Sequence, residues 1–159
     1  MKSNRVVATV LGTILLVAFP KRLGGQADSS QHDLSAQLKI FSNYSKDFRA
    51  LEDSLNGEDL QAVQFFDGVA TTARDRLDAA KTMLEMYDNI SCKLDTARVK
   101  PILKKHLEMY SWLMDHEADR SAGFLQFAKV PAAAQLGLKM KDDLRAAKGK
   151  LDELAASLK

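Results

Sequence analysis

The chain has 159 residues, which suits one domain, and it carries 23 basic against 21 acidic side chains for a formal charge of +2. No dense basic patch is interleaved with aromatics, so nucleic-acid binding is not expected. Cys92 is the only cysteine, which excludes an intramolecular disulfide and leaves packing alone to hold the fold.

The first 27 residues read as a signal peptide rather than as part of the folded domain. Lys2 and Arg5 supply a positive start, Val6 to Phe19 is an apolar run of 14 residues, and Gly25-Gln26-Ala27 places small residues at a cleavage site. A bilayer span takes roughly 20 apolar residues, so this run is short for one. Lys21 and Arg22 after Pro20 keep the alternative of an uncleaved anchor open, and only in that case is a membrane partner expected. The segment holds four basic residues and no acidic ones, so the remainder has 19 basic and 21 acidic side chains, a formal charge of −2. The domain, residues 28–159, is expected outside the cytoplasm, periplasmic or secreted.

A first helix should begin near Ser30, with Asp33 three residues later in the manner of a capping box. Leu34, Phe41, Phe48 and Leu55 repeat every seven residues, and Leu38, Tyr44 and Leu51 fill the neighbouring positions of one apolar stripe. Asn56-Gly57 should end it, since both residues tolerate the left-handed conformation. Glu58 and Asp59 suit the positive end of a second helix, whose stripe runs from Leu60 through Val63, Phe66, Ala70, Ala73, Leu77, Ala80 and Leu84 to Tyr87. Asn89 to Asp95 reads as a connection, with Asp95 or Thr96 as cap. Cys92 lies within it and is read as a small apolar residue with a free thiol, the alternative being an intermolecular disulfide.

The third helix holds Leu103, Leu107, Tyr110, Leu113 and Met114, with Pro101 in its first turns; Phe124 and Phe127 follow. Pro131 fits the first position of a fourth helix carrying Leu136, Met140, Leu144, Ala147, Leu151, Leu154 and Leu158. Four helices with short connections imply an all-α, up-down-up-down antiparallel four-helix bundle. The alternative is two long hairpins that pair only on dimerisation, which would make a homodimer.

No haem-attachment, di-iron, phosphate-loop or zinc-protease motif is present, and no cofactor is assigned. A helical count does bring His32, His106, Met83, Met86 and Met109 towards one end, which leaves a haem- or metal-binding bundle as an alternative. Asn43 and Asn89 begin glycosylation sequons, and Asn43 should be accessible. The acidic run Asp115, His116, Glu117 and Asp119 reads first as a solvated helix face. Its inward members suggest more: continuing from Leu113, the third stripe meets Glu117, Arg120 and Ser121, level with Asp67 and near Arg74 of the second helix. Asp67, Arg74, Glu117 and Arg120 are therefore the candidate site, a polar layer or the lining of a small ligand pocket in which Glu117 pairs with Arg120, Arg74 or both. The competing reading ends the third helix near Asp115 and exposes the gap.

The function expected from this pattern is a non-enzymatic binding or interaction protein, a membrane-tethered sensor domain being a further alternative. N-terminal sequencing of the exported chain should read from Asp28; a sequence beginning at Met1 would replace the signal peptide with a retained anchor.

Overall fold

The computed structural model describes residues 34–91 and 97–158. The expected signal peptide, the expected first cap at Ser30 and Asp33, His32, Cys92 and the expected Asp95 or Thr96 cap lie outside them. Four helices make up the rest: α1 Ser35–Glu52, α2 Gly57–Ser91, α3 Val99–Phe124 and α4 Pro131–Ser157, with a single 3-10 turn at Leu125–Phe127. No described helix is long and apolar enough to cross a membrane.

The stripes read from the sequence face a common core. Phe41, Phe48, Phe66, Leu77, Leu84, Leu107, Met114, Met140, Leu144 and Leu151 are all sealed from solvent. Each large apolar side chain moved out of water contributes about 1.5–3 kcal/mol. The two helical hairpins pack on each other within one chain, Gly137 of α4 meeting Phe66 of α2 and Tyr44 of α1 meeting Asp143 of α4.

Two boundaries differ from expectation. α1 stops at Glu52, a turn before Asn56-Gly57, because its last carbonyls are taken early. The Leu51 carbonyl accepts from both the Ser54 N–H at 3.1 Å and the Ser54 hydroxyl at 2.9 Å, and Leu55 N–H turns to Glu52. Gly57 does adopt the left-handed conformation, with φ of 56°, but it opens α2 instead of closing α1. α3, in turn, does not end near Asp115. It continues to Phe124 because Met114, Ala118 and Ser121 carry the buried line onward at steps of four and three. That line, not Leu113–Glu117–Arg120, is the inner one.

Pro101 sits in the first turn of α3 and Pro131 at the start of α4, where a missing N–H breaks no helical bond. The connection between these helices is fixed from outside. Oδ1 of Asp59, in the first turn of α2, accepts the backbone N–H groups of Lys129 and Val130 at 2.5 and 2.9 Å. Glu58 adds an ion pair to Lys129 at 2.6 Å.

At Gly137, α4 comes close against Phe66 of α2 and Leu125. A β-carbon there would lie 2.9 Å from two atoms of the Phe66 ring and 3.0 Å from Leu125. The ring is fully enclosed, so it has nowhere to move. Gly149, also within α4, has open space around it. Gly149→Ala should therefore raise stability by about 0.5–1 kcal/mol, as helix propensity dictates. Gly137→Ala should lower it despite the same propensity gain, and Leu144→Ala should cost about 2–5 kcal/mol. Thermal melts of the three variants check this ordering.

Candidate functional site

Three of the helical seams carry a polar contact between their two helices. Between α1 and α2, the buried Ser45 hydroxyl donates to Asp67 Oδ1, and Arg49 Nε donates to Oδ2 of the same carboxylate at 3.1 Å. Between α1 and α4, the Tyr44 hydroxyl donates to Asp143 Oδ2 at 2.5 Å. Between α3 and α4, Ser111 donates to Asp152 Oδ1 at 2.5 Å while Lys148 takes Oδ2 at 2.7 Å. Farther along the same seam Arg145 pairs with Asp119 at 3.2 Å.

The α2–α3 seam is different in kind. One guanidinium nitrogen of Arg120 donates to both oxygens of Glu117, at 2.9 and 3.0 Å. The Glu117 side chain is only 12% exposed, so the pair screens a carboxylate largely withdrawn from water. Arg120 also lies over the Phe65 ring, 5.1 Å from its centroid, and Phe65 stacks on Phe124 at 3.7 Å. Glu117, Arg120 and Phe65 line an open cleft of about 260 Å³ together with Gln64, Gly68 and Thr72. A second open cleft of about 260 Å³ lies over Tyr44 and Asp143, with Asn43 and Lys139 at its rim. Asn43 is exposed, in keeping with its place roughly opposite the Phe41 stripe.

The four candidate residues are thus divided. Glu117 and Arg120 pair as expected, but neither Asp67 nor Arg74 joins them. Asp67 faces α1, where it binds Ser45 and Arg49, and Arg74 turns to its neighbour Asp75 at 2.8 Å. The heights along the helices were read correctly, since Gln64 and Gly68, on either side of Asp67 in sequence, reach the Glu117 cleft. The direction round α2 was not. A helix turns about 100° per residue, so Asp67 points away from the neighbour that Gly68 serves.

Sequence reasoning missed Tyr44–Asp143 and Ser111–Asp152. By spacing alone Tyr44 belongs to the apolar stripe of α1, and Ser111 falls on no pattern in the sequence. The available signal was a hydroxyl on a stripe facing an aspartate at the same height on a neighbouring helix. Ser121 is a further surprise, since its hydroxyl is fully enclosed and has no hydrogen-bond partner.

The expected His and Met cluster does not converge: Met83 packs against the core, and His32 lies outside the described residues. His106 Nδ1 rests 2.8 Å from the Ile102 carbonyl oxygen, while Met86 and Met109 are exposed. Among the described residues no three His, Cys, Asp or Glu side chains converge on a point that could hold a metal ion. No family model, no curated protein and no solved structure matches the chain.

Two ionisations follow from these contacts. Burial, reinforced by the Asp143 hydrogen bond and charge, pushes the Tyr44 phenol far above its usual value near 10. Lys148, then Ser111, hold Asp152 below the usual carboxylate range. For Tyr44 the folded phenol keeps its proton where the unfolded one loses it, so its contribution is intact below pH ~10 and is lost as pH rises further. Tyr44→Phe strips Asp143 of its donor and should cost about 1–3 kcal/mol at neutral pH. It also removes the alkaline penalty, so the stabilities of variant and parent should converge above pH ~10 when urea unfolding is followed across pH.

Proposed function

We propose that the chain is an exported, non-enzymatic binding protein: a signal peptide over residues 1–27 followed by an up-down-up-down antiparallel four-helix bundle. The seam contacts support the topology. Along α3 and α4, residue 111 meets 152 and residue 119 meets 145, the order expected of antiparallel neighbours. Phe48 on Phe66, and Phe65 on Phe124, make α2 the shared neighbour of α1 and α3.

One observation carries the functional reading. Carboxylates at the helix contacts are spent on holding helices together: Asp67, Asp143 and Asp152 each accept from a hydroxyl of a neighbouring helix, and Asp59 from two backbone amides, while the largely withdrawn Glu117 is neutralised by Arg120 of its own helix. The large side chains left unsatisfied are apolar and outside, among them Met86, Met109, Trp112 and Leu138. Recognition then falls to the outer surface, where contiguous apolar groups mark interaction sites.

The test is to isolate the protein from the extracytoplasmic fraction of its host and record its visible spectrum and metal content. The proposal expects a colourless, metal-free protein. A Soret band, or stoichiometric metal, would overturn it in favour of a haem- or metal-binding bundle.

A further inference from the structure

Glu117 is held differently from the carboxylates at the other seams. Asp67, Asp143 and Asp152 each accept from a neighbouring helix and so fix one helix against another. Both hydrogen bonds to Glu117 come from Arg120 of its own helix, so the pair does nothing to join α3 to α2. Drawing a carboxylate out of water is unfavourable, and here no gain in helix pairing offsets it. The Glu117 side chain is 12% exposed and that of Arg120 48%, so the cation is the member of the pair that is free to leave.

The contact between them is also incomplete. A single guanidinium nitrogen, Nη1, reaches both carboxylate oxygens, at 2.9 and 3.0 Å. A guanidinium meets a carboxylate best as a fork, two nitrogens donating in parallel to two oxygens. Arg120 makes no such fork with the residue three positions before it. Its guanidinium carbon lies 5.1 Å from the centroid of the Phe65 ring, and that ring is steadied by stacking on Phe124 at 3.7 Å. Carboxylate and ring face together form a receptor for a flat cation, and the protein's own guanidinium rests in it. There is room beside it. Gln64, Gly68 and Thr72 follow at steps of four along α2 and line the same open cleft of about 260 Å³. A β-carbon at Gly68 would meet no atom of another helix within 4 Å.

We propose that this cleft binds a guanidinium group, with Arg120 as the built-in occupant that the ligand displaces. The proposal rests on the reading of the chain as a non-enzymatic binding protein and names what one of its sites takes. The incoming cation occupies the Phe65 face and donates two N–H groups to Glu117 as a fork. Arg120 swings into water, where about half of its side chain already lies. One cation replaces another, so Glu117 is not left unpaired in the bound state. An alkylammonium fits less well, because a compact ammonium has no planar fork. The displaced arginine competes from a tether at high effective concentration, so the parent chain binds modestly. An arginine side chain of a partner polypeptide and a free small guanidinium compound share this chemistry.

Calorimetric titration of the full chain separates the two sources. N-acetyl-arginine amide presents the head as a polypeptide does, butylguanidinium presents it free, and butylurea is the neutral isostere. The parent should bind a guanidinium probe and not butylurea, and the tighter of the two probes identifies the source. Arg120→Ala should bind that probe roughly tenfold more tightly or better, since its competitor is gone. A residue that merely contacted the ligand would give the opposite sign. Glu117→Gln should lose binding. Gly68→Leu keeps the ion pair, fills the cleft and should weaken binding roughly tenfold, which tests the site even if Arg120→Ala proves too unstable to titrate. Helix content of each variant is verified by circular dichroism. The proposal is overturned if neither guanidinium probe binds the parent below about 10 mM, or if butylurea binds as well. It is equally overturned if folded Arg120→Ala binds no more tightly than the parent, or if Glu117→Gln or Gly68→Leu titrates like it. A Soret band in the native protein would remove the functional proposal and leave these affinities standing. A colourless exported protein that binds neither probe would remove only this site.

Discussion

Apolar side chains pack in more than one register at similar cost, but a carboxylate drawn out of water cannot slide past its donor. That asymmetry orders this molecule. Tyr44 on Asp143, Ser45 on Asp67 and Ser111 on Asp152 are each a hydroxyl of one helix meeting a carboxylate of another, just outside the sealed core. Moving any pair of helices by one turn would separate donor from acceptor by about 5.4 Å and strand a partly buried charge. The core supplies most of the stabilisation. These contacts select one register from those the core would accept.

α2 is the element on which the others are aligned. Its 35 residues exceed the 18 of α1 almost twofold, so it serves different partners along its length. Its first turn gathers the connection before α4 through Asp59, its Phe66 ring sits against Gly137, and its Phe65 ring carries Arg120 and Phe124. The Gly137 contact matters because a backbone approaching an aromatic ring so closely has no tolerance for even one methyl group.

The division between inside and outside has a functional consequence. Most polar groups at the seams are paired with a neighbour, the enclosed Ser121 hydroxyl being an exception, and what remains available for recognition lies on the exterior. α3 is the helix on which this is plainest: its inner line is Leu103, Leu107, Tyr110, Met114, Ala118 and Ser121, and its outer line mixes cations with Ile102, Met109 and Trp112. A helix apolar on two opposite sides either has a partner on each or tolerates exposed apolar surface on one of them.

Much of the architecture was legible in the chain because an apolar period near 3.6 survives tertiary context. The seven-residue spacing of Phe41 and Phe48, the long run from Val63 to Tyr87 and Pro131 at a helix start all placed residues correctly. Heights were legible too, since rise per residue is constant and the connections are short. What escaped was direction. Between Leu113 and Phe124 the sequence offers two parallel lines one residue apart, and only packing against α4 decided that Ala118 and Ser121 face inward while Glu117 sits at the α2 seam. The same ambiguity of about 100° sent Asp67 to α1 and left Arg74 with Asp75. Sequence alone determined which segments are helices and which broad side of each is apolar, because those properties are local. The tertiary structure decided which polar residues share a seam, because that depends on the rotation of each helix against two neighbours at once, which no single helix encodes.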